Sequence, residues 1–284
     1  MIPFRKMNGL GNDFVVVDAR HERVDLPQAR IAALADRQSG IGFDQFIVIA
    51  PAEGGDAAAR MRIFNADGGE VESCGNAARC VAGLLLAETG TPEVAIESTG
   101  GPMLARRQGD LIAVDMGVPH FAGAAIPLAE GTGDPQALTV PGFEGYGAAA
   151  CVNVGNPHVV FVVPDVAAVP LARDGAALER HTFFPERANI SFVEILNRQT
   201  IRARVWERGV GATKACGTAA CAIGALAARL DWAEPRVTVE LPGGPLAIDV
   251  SNGRIIMAGP YALDFLGTIE ADGFRVASPQ AAAP

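Results

Sequence analysis

The sequence predicts an α+β fold of two pseudo-symmetric domains that arose by internal duplication. Each is a curved, mostly antiparallel β-sheet or barrel wrapped around a central apolar helix, with the active site in the interdomain cleft. Three observations carry this reading. The chain repeats itself with an offset of about 142 positions, it contains two segments that are apolar on nearly every helical face, and those segments are flanked by short alternating runs.

The repeat is clearest where RIFNADGGEVESCGNAA (62–78) lies over RVWERGVGATKACGTAA (204–220) without a gap, which sets Cys74 over Cys216. TPEVAIESTGGPML (91–104) matches EPRVTVELPGGPLA (234–247) at an offset of 143. Upstream, GNDFVVV (11–17) sits over GNPHVVF (155–161), and FDQFIVI (43–49) over ANISFVE (188–194). Four matches in one order define two halves, 1–118 and 119–262.

Each half reads as strand, helix, strands, cysteine helix and further strands. Alternation such as Val94-Ala95-Ile96-Glu97 and Val237-Thr238-Val239-Glu240 suits strands with one buried face. Pro27 opens a helix whose Ile31, Leu34 and Ala35 form an apolar stripe. The segments after Cys74 and Cys216 are apolar nearly all round, as expected of helices buried on most sides. Gly83 and Gly224 within them allow close approach of another element. Residues 121–147, rich in Gly, Pro and Ala, read as a connecting arm with a strand at 137–140.

Composition bounds the function. With 284 residues, 49% hydrophobic and a formal charge of −9, the chain is a folded globular protein. No apolar run approaches the roughly 18 to 20 residues of a membrane span, and the N-terminus lacks the apolar core of a signal peptide. A soluble, cytoplasmic protein is expected. The acidic balance, with no basic run longer than Arg106-Arg107, argues against nucleic acid as a partner.

The five cysteines divide by context. Cys151, Cys80 and Cys221 are expected as buried apolar fillers. Cys74 and Cys216 each precede a glycine and then a polar residue, Asn76 or Thr218, placed as a helix cap. Each thiol therefore stands beside first-turn N–H groups and the positive end of a helix dipole. That setting lowers a thiol pKa from about 8.5 into a range of roughly 3.5 to 7.5, and the N–H groups bind carboxylates. Two such thiols, one on each side of a carbon, would invert it, the thiolate removing a proton and the thiol delivering another. The sequence has no lysine in a pyridoxal-phosphate context and no glycine fingerprint for a nucleotide, so helix-end N–H groups remain to stabilise the carbanion. A zinc site is disfavoured because spacings of six and five along helices turn the thiols of each pair apart. A disulfide is disfavoured by a reducing compartment, and a single-nucleophile hydrolase would leave the duplication unexplained.

Together GLGNDFVVVD, GFDQ, RIFNADGGEVESCGNAARC, GNPH, FPERANI, ERGVGATKACGTAACA and ELPGG resemble the diaminopimelate epimerase family, from Met7 to about Gly267. The resemblance implies inversion of one centre of LL-2,6-diaminopimelate to the meso isomer, for lysine and peptidoglycan synthesis, without pyridoxal phosphate or metal. It makes Cys74 and Cys216 the acid–base pair, with His158 and Glu207 tuning them. Gly75-Asn76 and Gly217-Thr218 would cradle the reacting carboxylate through backbone N–H groups. Asn12, Gln45, Asn65, Asn156 and Asn189 would contact substrate. Arg208 would meet the distal carboxylate and Glu207 a substrate ammonium. The pattern departs at Ala77, Ala212 and Lys214, none of them a proposed chemical group, and at Phe265. The resemblance further implies a strand from about 263 to 274 that returns to the first half and a homodimer; residues 275–284 are expected to be a disordered tail. The alternatives are a proline or hydroxyproline racemase on the same scaffold and a non-catalytic amino-acid-binding protein.

Overall fold

In a computed structural model, residues 1–71 and 74–277 are described. They divide into two compact units, Met1–Val114 with the chain from Gly259 onward, and Asp115–Ala258. The architecture is mixed α/β, with four α-helices among the described residues and mixed β-sheet in each unit.

The first unit begins with a hairpin of β1 (Ile2–Gly9) and β2 (Asn12–Asp18). Its two turn residues, Leu10 and Gly11, both have positive φ, 62° and 80°, as a two-residue hairpin turn with the sheet's own twist requires. Next comes α1 (Gln28–Ala35), which follows Pro27 and buries Ile31, Leu34 and Ala35 as expected. This crossover lets β3 (Gln45–Ala50) lie parallel to β2. Beyond it, β4 (Ala59–Asn65) and β5 (Glu70–Val71) continue antiparallel. A second crossover, α2 (Gly75–Thr89), leads to β6 (Glu93–Glu97) parallel to β4, and β7 (Met103–Gln108) and β8 (Leu111–Asp115) close the series antiparallel.

The second unit repeats this order. A hairpin of β9 (Ala149–Asn153) and β10 (Pro157–Val162) is followed by α3 (Leu171–Glu179) and a parallel β11 (Asn189–Asn197). Antiparallel β12 (Thr200–Glu207) and β13 (Gly211–Thr213) lead into α4 (Gly217–Arg229). Then β14 (Arg236–Leu241) lies parallel to β12, followed by antiparallel β15 (Gly244–Asp249) and β16 (Ile256–Gly259). Back in the first unit, β17 (Ala262–Ile269) pairs with β1, and β18 (Phe274–Val276) pairs with β17.

Strand register tests the repeat residue by residue. Arg60 pairs with Glu97 and Arg202 with Glu240, in agreement with the offsets of 142 and 143. Phe14 pairs with Gln45, however, and His158 with Asn189. Gln45 therefore corresponds to Asn189, so the expected match of 43–49 with 188–194 is one residue out of register. In a strand such a slip exchanges the two faces.

The structure changes other expectations as well. The cysteine helices begin at Gly75 and Gly217, and the residues at the N-cap are Cys74 and Cys216 rather than Asn76 and Thr218. The arm has no strand at 137–140, only a bridge from Leu138 to Ala149, and it is anchored through Ile126, Leu138 and Val140 in the cluster that holds Phe161 and Phe192. The returning segment is two strands, and Arg275 and Val276 are paired with Thr268 and Gly267 because the turn before them brings the chain back along β17. The rest of the expected disordered tail, 278–284, lies outside the described residues. No helix among the described residues is long and apolar enough to cross a membrane.

The two cysteine helices are buried on most sides, α2 against β1, β2, β6 and β7, and α4 against β9, β10, β11, β14 and β15. Glycine permits this closeness. A Cβ on Gly224 would stand 2.5 Å from Ile248 Cγ2 and 3.0 Å from its Cβ, and Ile248 is itself buried. Gly224→Ala gains about 1 kcal/mol in helix propensity but forces the helix off the sheet. A net loss of about 1–2 kcal/mol is expected, read as a lower urea midpoint at constant slope.

Candidate active site

In the first unit Cys74 has extended backbone (φ −151°, ψ 108°) and accepts the first helical bond, from Ala78 N to its carbonyl (2.9 Å). It is half-buried, and no side-chain cap bond forms. The hairpin turn delivers Asn12 to it, with Oδ1 4.0 Å from the sulfur. Asp44, which can only accept, takes Asn12 Nδ2 (3.0 Å) and Asp13 N (2.8 Å), while Arg37 holds its other oxygen (2.8 Å). Arg79, which can only donate, gives Nη1 to Asn76 Oδ1 (2.9 Å). Asn76 Nδ2 then donates to Asn12 Oδ1 (3.3 Å). One acceptor-only and one donor-only group thus fix both amides, and the carbonyl of Asn12 faces the thiol. Nearby, Gln45 Nε2 donates to Asn65 Oδ1 (3.1 Å), and Gln45 Oε1 is a buried acceptor with no partner among the described residues.

In the second unit Cys216 caps α4 in the same way (φ −125°, ψ 111°) and is 5% exposed. Thr218 Oγ1 lies 3.5 Å from its sulfur and accepts from Asn156 Nδ2 (3.5 Å). Asn156 Oδ1 meets His158 Nε2 at 2.8 Å. Burial, and secondarily the charge of Arg208, push the fully buried His158 down to about 3, so the imidazole is neutral. A neutral ring with an acceptor at Nε2 carries its proton there, and Nδ1 has no partner among the described residues. Asn189 spends its amide on the backbone, Nδ2 to Pro157 O (3.0 Å) and Oδ1 from Arg208 N (3.0 Å).

The thiol of Cys216 departs from the expected lowering. Burial raises it well above its ordinary value, and the neighbouring Glu207 carboxylate adds to this, against weaker lowering by Thr218 and the Ala219 N–H. Buried Cys80 and Cys151 are pushed up to about 12 by burial, as befits core fillers.

The expected site residues are thus gathered within their own units: Asn12, Cys74, Gly75 and Asn76 beside Gln45–Asn65 in the first, and Asn156, His158, Cys216, Gly217 and Thr218 with Glu207 in the second, where Asn189 is bonded to Arg208. Sequence reasoning missed Asp44 and Arg79. The available signal for Arg79 was a lone cation in the first turns of a mostly apolar helix, and the structure shows it fully buried.

The structure is thus a duplicated α/β chain with one cysteine at the start of a buried helix in each copy. A family model described as diaminopimelate epimerase matches residues 4–122 and 150–263, and the chain belongs to that family. It is 47% identical over 272 residues to the diaminopimelate epimerase of Phenylobacterium zucineum, covering 94% of this chain and 97% of the relative. To that of Chromobacterium violaceum it is 44% identical over 276 residues, covering 95% and 99%. Its fold resembles a hydroxyproline epimerase from Agrobacterium vitis solved with bound trans-4-OH-L-proline (TM-score 0.66, 14% identity, 98% and 93% covered). A Bacillus anthracis phenazine biosynthesis protein of the PhzF family shares it as well (TM-score 0.66, 18% identity, 93% and 97% covered).

The neutral, buried His158 gives a test by pH. Its folded pKa of about 3 lies below the reference 6.5, so the unfolded chain takes up the proton first. Its contribution to stability is intact above pH 6.5 and is lost as pH falls from 6.5 toward 3, on the order of 5 kcal/mol over the whole window. Urea midpoints measured across this window are expected to fall more steeply for the wild type than for His158→Gln. One of the four histidine C2–H signals in proton NMR is expected to stay flat down to about pH 4.

Proposed function

We propose that the protein epimerises LL-2,6-diaminopimelate to the meso isomer by a two-base thiol mechanism, without pyridoxal phosphate or metal. The observation that carries this reading is the matched pair of N-capping cysteines, Cys74 and Cys216, each beside the start of a buried helix and an asparagine from the preceding hairpin. Each half supplies one thiol to a shared α-carbon. One cysteine, as thiolate, takes the α-proton, and the electron pair passes into the α-carboxylate. The other, as thiol, gives its proton to the opposite face. Each turnover leaves the two sulfurs with exchanged protonation, and the reverse reaction uses them in the opposite sense.

The backbone N–H groups at Gly75-Asn76 and Gly217-Thr218 hold the carboxylate as it gains charge, because first-turn donors lack intrahelical acceptors. The orphaned acceptor Gln45 Oε1 suits an ammonium donor of the substrate. Arg208 takes the distal carboxylate, and Glu207 a substrate ammonium. A ligand charged at both ends satisfies these groups, whereas proline leaves the distal ones unmatched. The same reading takes the β-structure built around α2 and around α4 as curved and closed in each half, and carries with it a cytoplasmic homodimer.

The test follows deuterium entry at the α-carbon by proton NMR in D2O. The reduced wild type is expected to exchange and invert LL-diaminopimelate together, in the presence of a chelator. Cys74→Ala and Cys216→Ala are each expected to lose on the order of 10²–10⁴-fold in turnover while keeping their circular dichroism. Full activity in either variant would sink the two-base mechanism, and turnover of proline but not diaminopimelate would move the reading to a proline racemase.

A further inference from the structure

Glu179 is a carboxylate in a place that stability alone disfavours. It is the last residue of α3, where the negative end of the helix dipole opposes an anion, and it is only 3% exposed. Its two oxygens are used separately. Oε2 accepts from Trp206 Nε1 (2.7 Å) and Oε1 from Gly209 N (2.9 Å), with Arg187 Nη1 at 3.6 Å from Oε1. Burial pushes this carboxyl up, but the Trp206 and Gly209 donors and the nearby arginines outweigh it and hold it below its ordinary value, so it is ionised at neutral pH.

The two donors are not neighbours in sequence. They flank the dipeptide Glu207-Arg208, and the carboxylate therefore holds the chain on both sides of it, from the end of β12 into the turn before β13. Other contacts make this grip rigid. Gly175 lets α3 lie so close to β12 that a Cβ there would stand 2.7 Å from Trp206 Cβ. Arg208 is tied through its N–H to Asn189 Oδ1 (3.0 Å) and through Nη1 to Glu186 O (3.2 Å), while the adjacent Arg187 meets Glu179 itself. The FPERANI segment thus gains a structural meaning, since its Glu186 and Arg187 brace the same turn.

The matching turn in the first copy, between β4 and β5, is held among the described residues by short-range bonds and by its own Asp67, whose Oδ1 accepts from Gly69 N (2.8 Å), with no carboxylate reaching it from the preceding helix. Asn65 N donates to Gly69 O (2.8 Å), Gly68 N to Asn65 O (2.8 Å), and Gln28 Nε2 to Asp67 O (3.0 Å). The copy with the buried carboxylate is the copy whose turn carries the charged pair Glu207-Arg208.

We propose that Glu179 is a positioning residue, whose carboxylate clamps Trp206 and Gly209 and thereby holds Glu207 beside Cys216 and Arg208 where it receives the substrate's distal carboxylate. The proposal rests on the function proposed above. Glu179 touches no reacting atom and acts through the turn. Its loss changes substrate affinity and turnover together, because the dipeptide serves both binding and the thiol.

The test uses the full chain with Glu179→Gln, which keeps size but offers a donor where one of the two acceptor oxygens stood. Two readouts are taken. The chain has two tryptophans, Trp206 and Trp232, so its ¹H–¹⁵N spectrum has two indole resonances, and that of Trp206 is expected to move upfield once its charged acceptor is lost. The KM for diaminopimelate is expected to rise about tenfold, with a several-fold fall in kcat, as expected for the loss of a hydrogen bond to a charged group. Trp206→Phe removes one arm of the clamp while keeping an aromatic ring, and is expected to raise KM in the same direction; it carries the test if Glu179→Gln does not fold. An indole resonance that stays in place, or a folded variant with KM and kcat within twofold of the wild type, would overturn the proposal. A wild type that turns over no diaminopimelate would overturn the functional reading beneath it, an outcome separate from an active wild type with an indifferent variant.

Discussion

A helix buried on nearly every side can meet solute chemistry only at its ends, and the rest of this molecule is arranged around that constraint. The sheets of each unit cover α2 and α4 along their length, and small residues let them do so. What remains at the N-terminus is a set of backbone donors and the positive end of a dipole. Serine, threonine or aspartate at the cap would turn a side-chain oxygen onto those donors and add about 0.5–2 kcal/mol of stability. Cysteine at both caps forms no such bond. The helix start thus has no side-chain cap on its donors, and it is there that the proposed function puts the substrate carboxylate, beside the thiol.

Burial and dipole compete at such a site, and magnitudes decide between them. A helix end contributes about 0.3–2 kcal/mol to a nearby charge, whereas full desolvation shifts a titratable group by as much as 3–5 pH units. At Cys216 burial wins and Glu207 reinforces it, so the thiol form is favoured. An ionised sulfur there needs a cation close by, and an amino-acid substrate carries one on the carbon that reacts. In the proposed reaction the ammonium of the ligand would offset what Glu207 and burial impose, and thiol activation would then follow substrate arrival.

Much of this was legible in the sequence because it depends on local chemistry. The stripe of Ile31, Leu34 and Ala35, the apolar helices and the paired cysteines all follow from short-range pattern. The strand register at 43–49 was not, since a continuous apolar run such as Phe46–Ile49 matches nearly as well when slipped by one, and only the pairing of Phe14 with Gln45 and of His158 with Asn189 removes the ambiguity. Asp44 and Arg79 lie inside quoted motifs but were missed because the contacts that give them a role, across 32 and three residues, are made only in the fold. The expected acidity of the cysteines failed at Cys216 for a similar reason. Dipole alignment can be read from a helix start, but depth of burial depends on everything packed around it.

The two copies keep the same backbone and differ in their polar partners, and the reaction proposed for them explains why. Inversion at a carbon needs like groups on its two faces, and in the proposed reaction duplication supplies them as Cys74 and Cys216. The other substituents of that carbon are unlike, so the residues around the thiols must diverge. At corresponding strand positions the first copy holds the neutral amides Gln45 and Asn65, bonded to each other, and the second holds Asn189 and the carboxylate of Glu207. Within the helices a buried cation, Arg79, stands where the second copy has the apolar Cys221. In that reading symmetry is retained at the sulfur atoms, because the proposed chemistry runs in both directions, and lost among their polar neighbours, because a ligand with distinct ends would have to be held in one orientation.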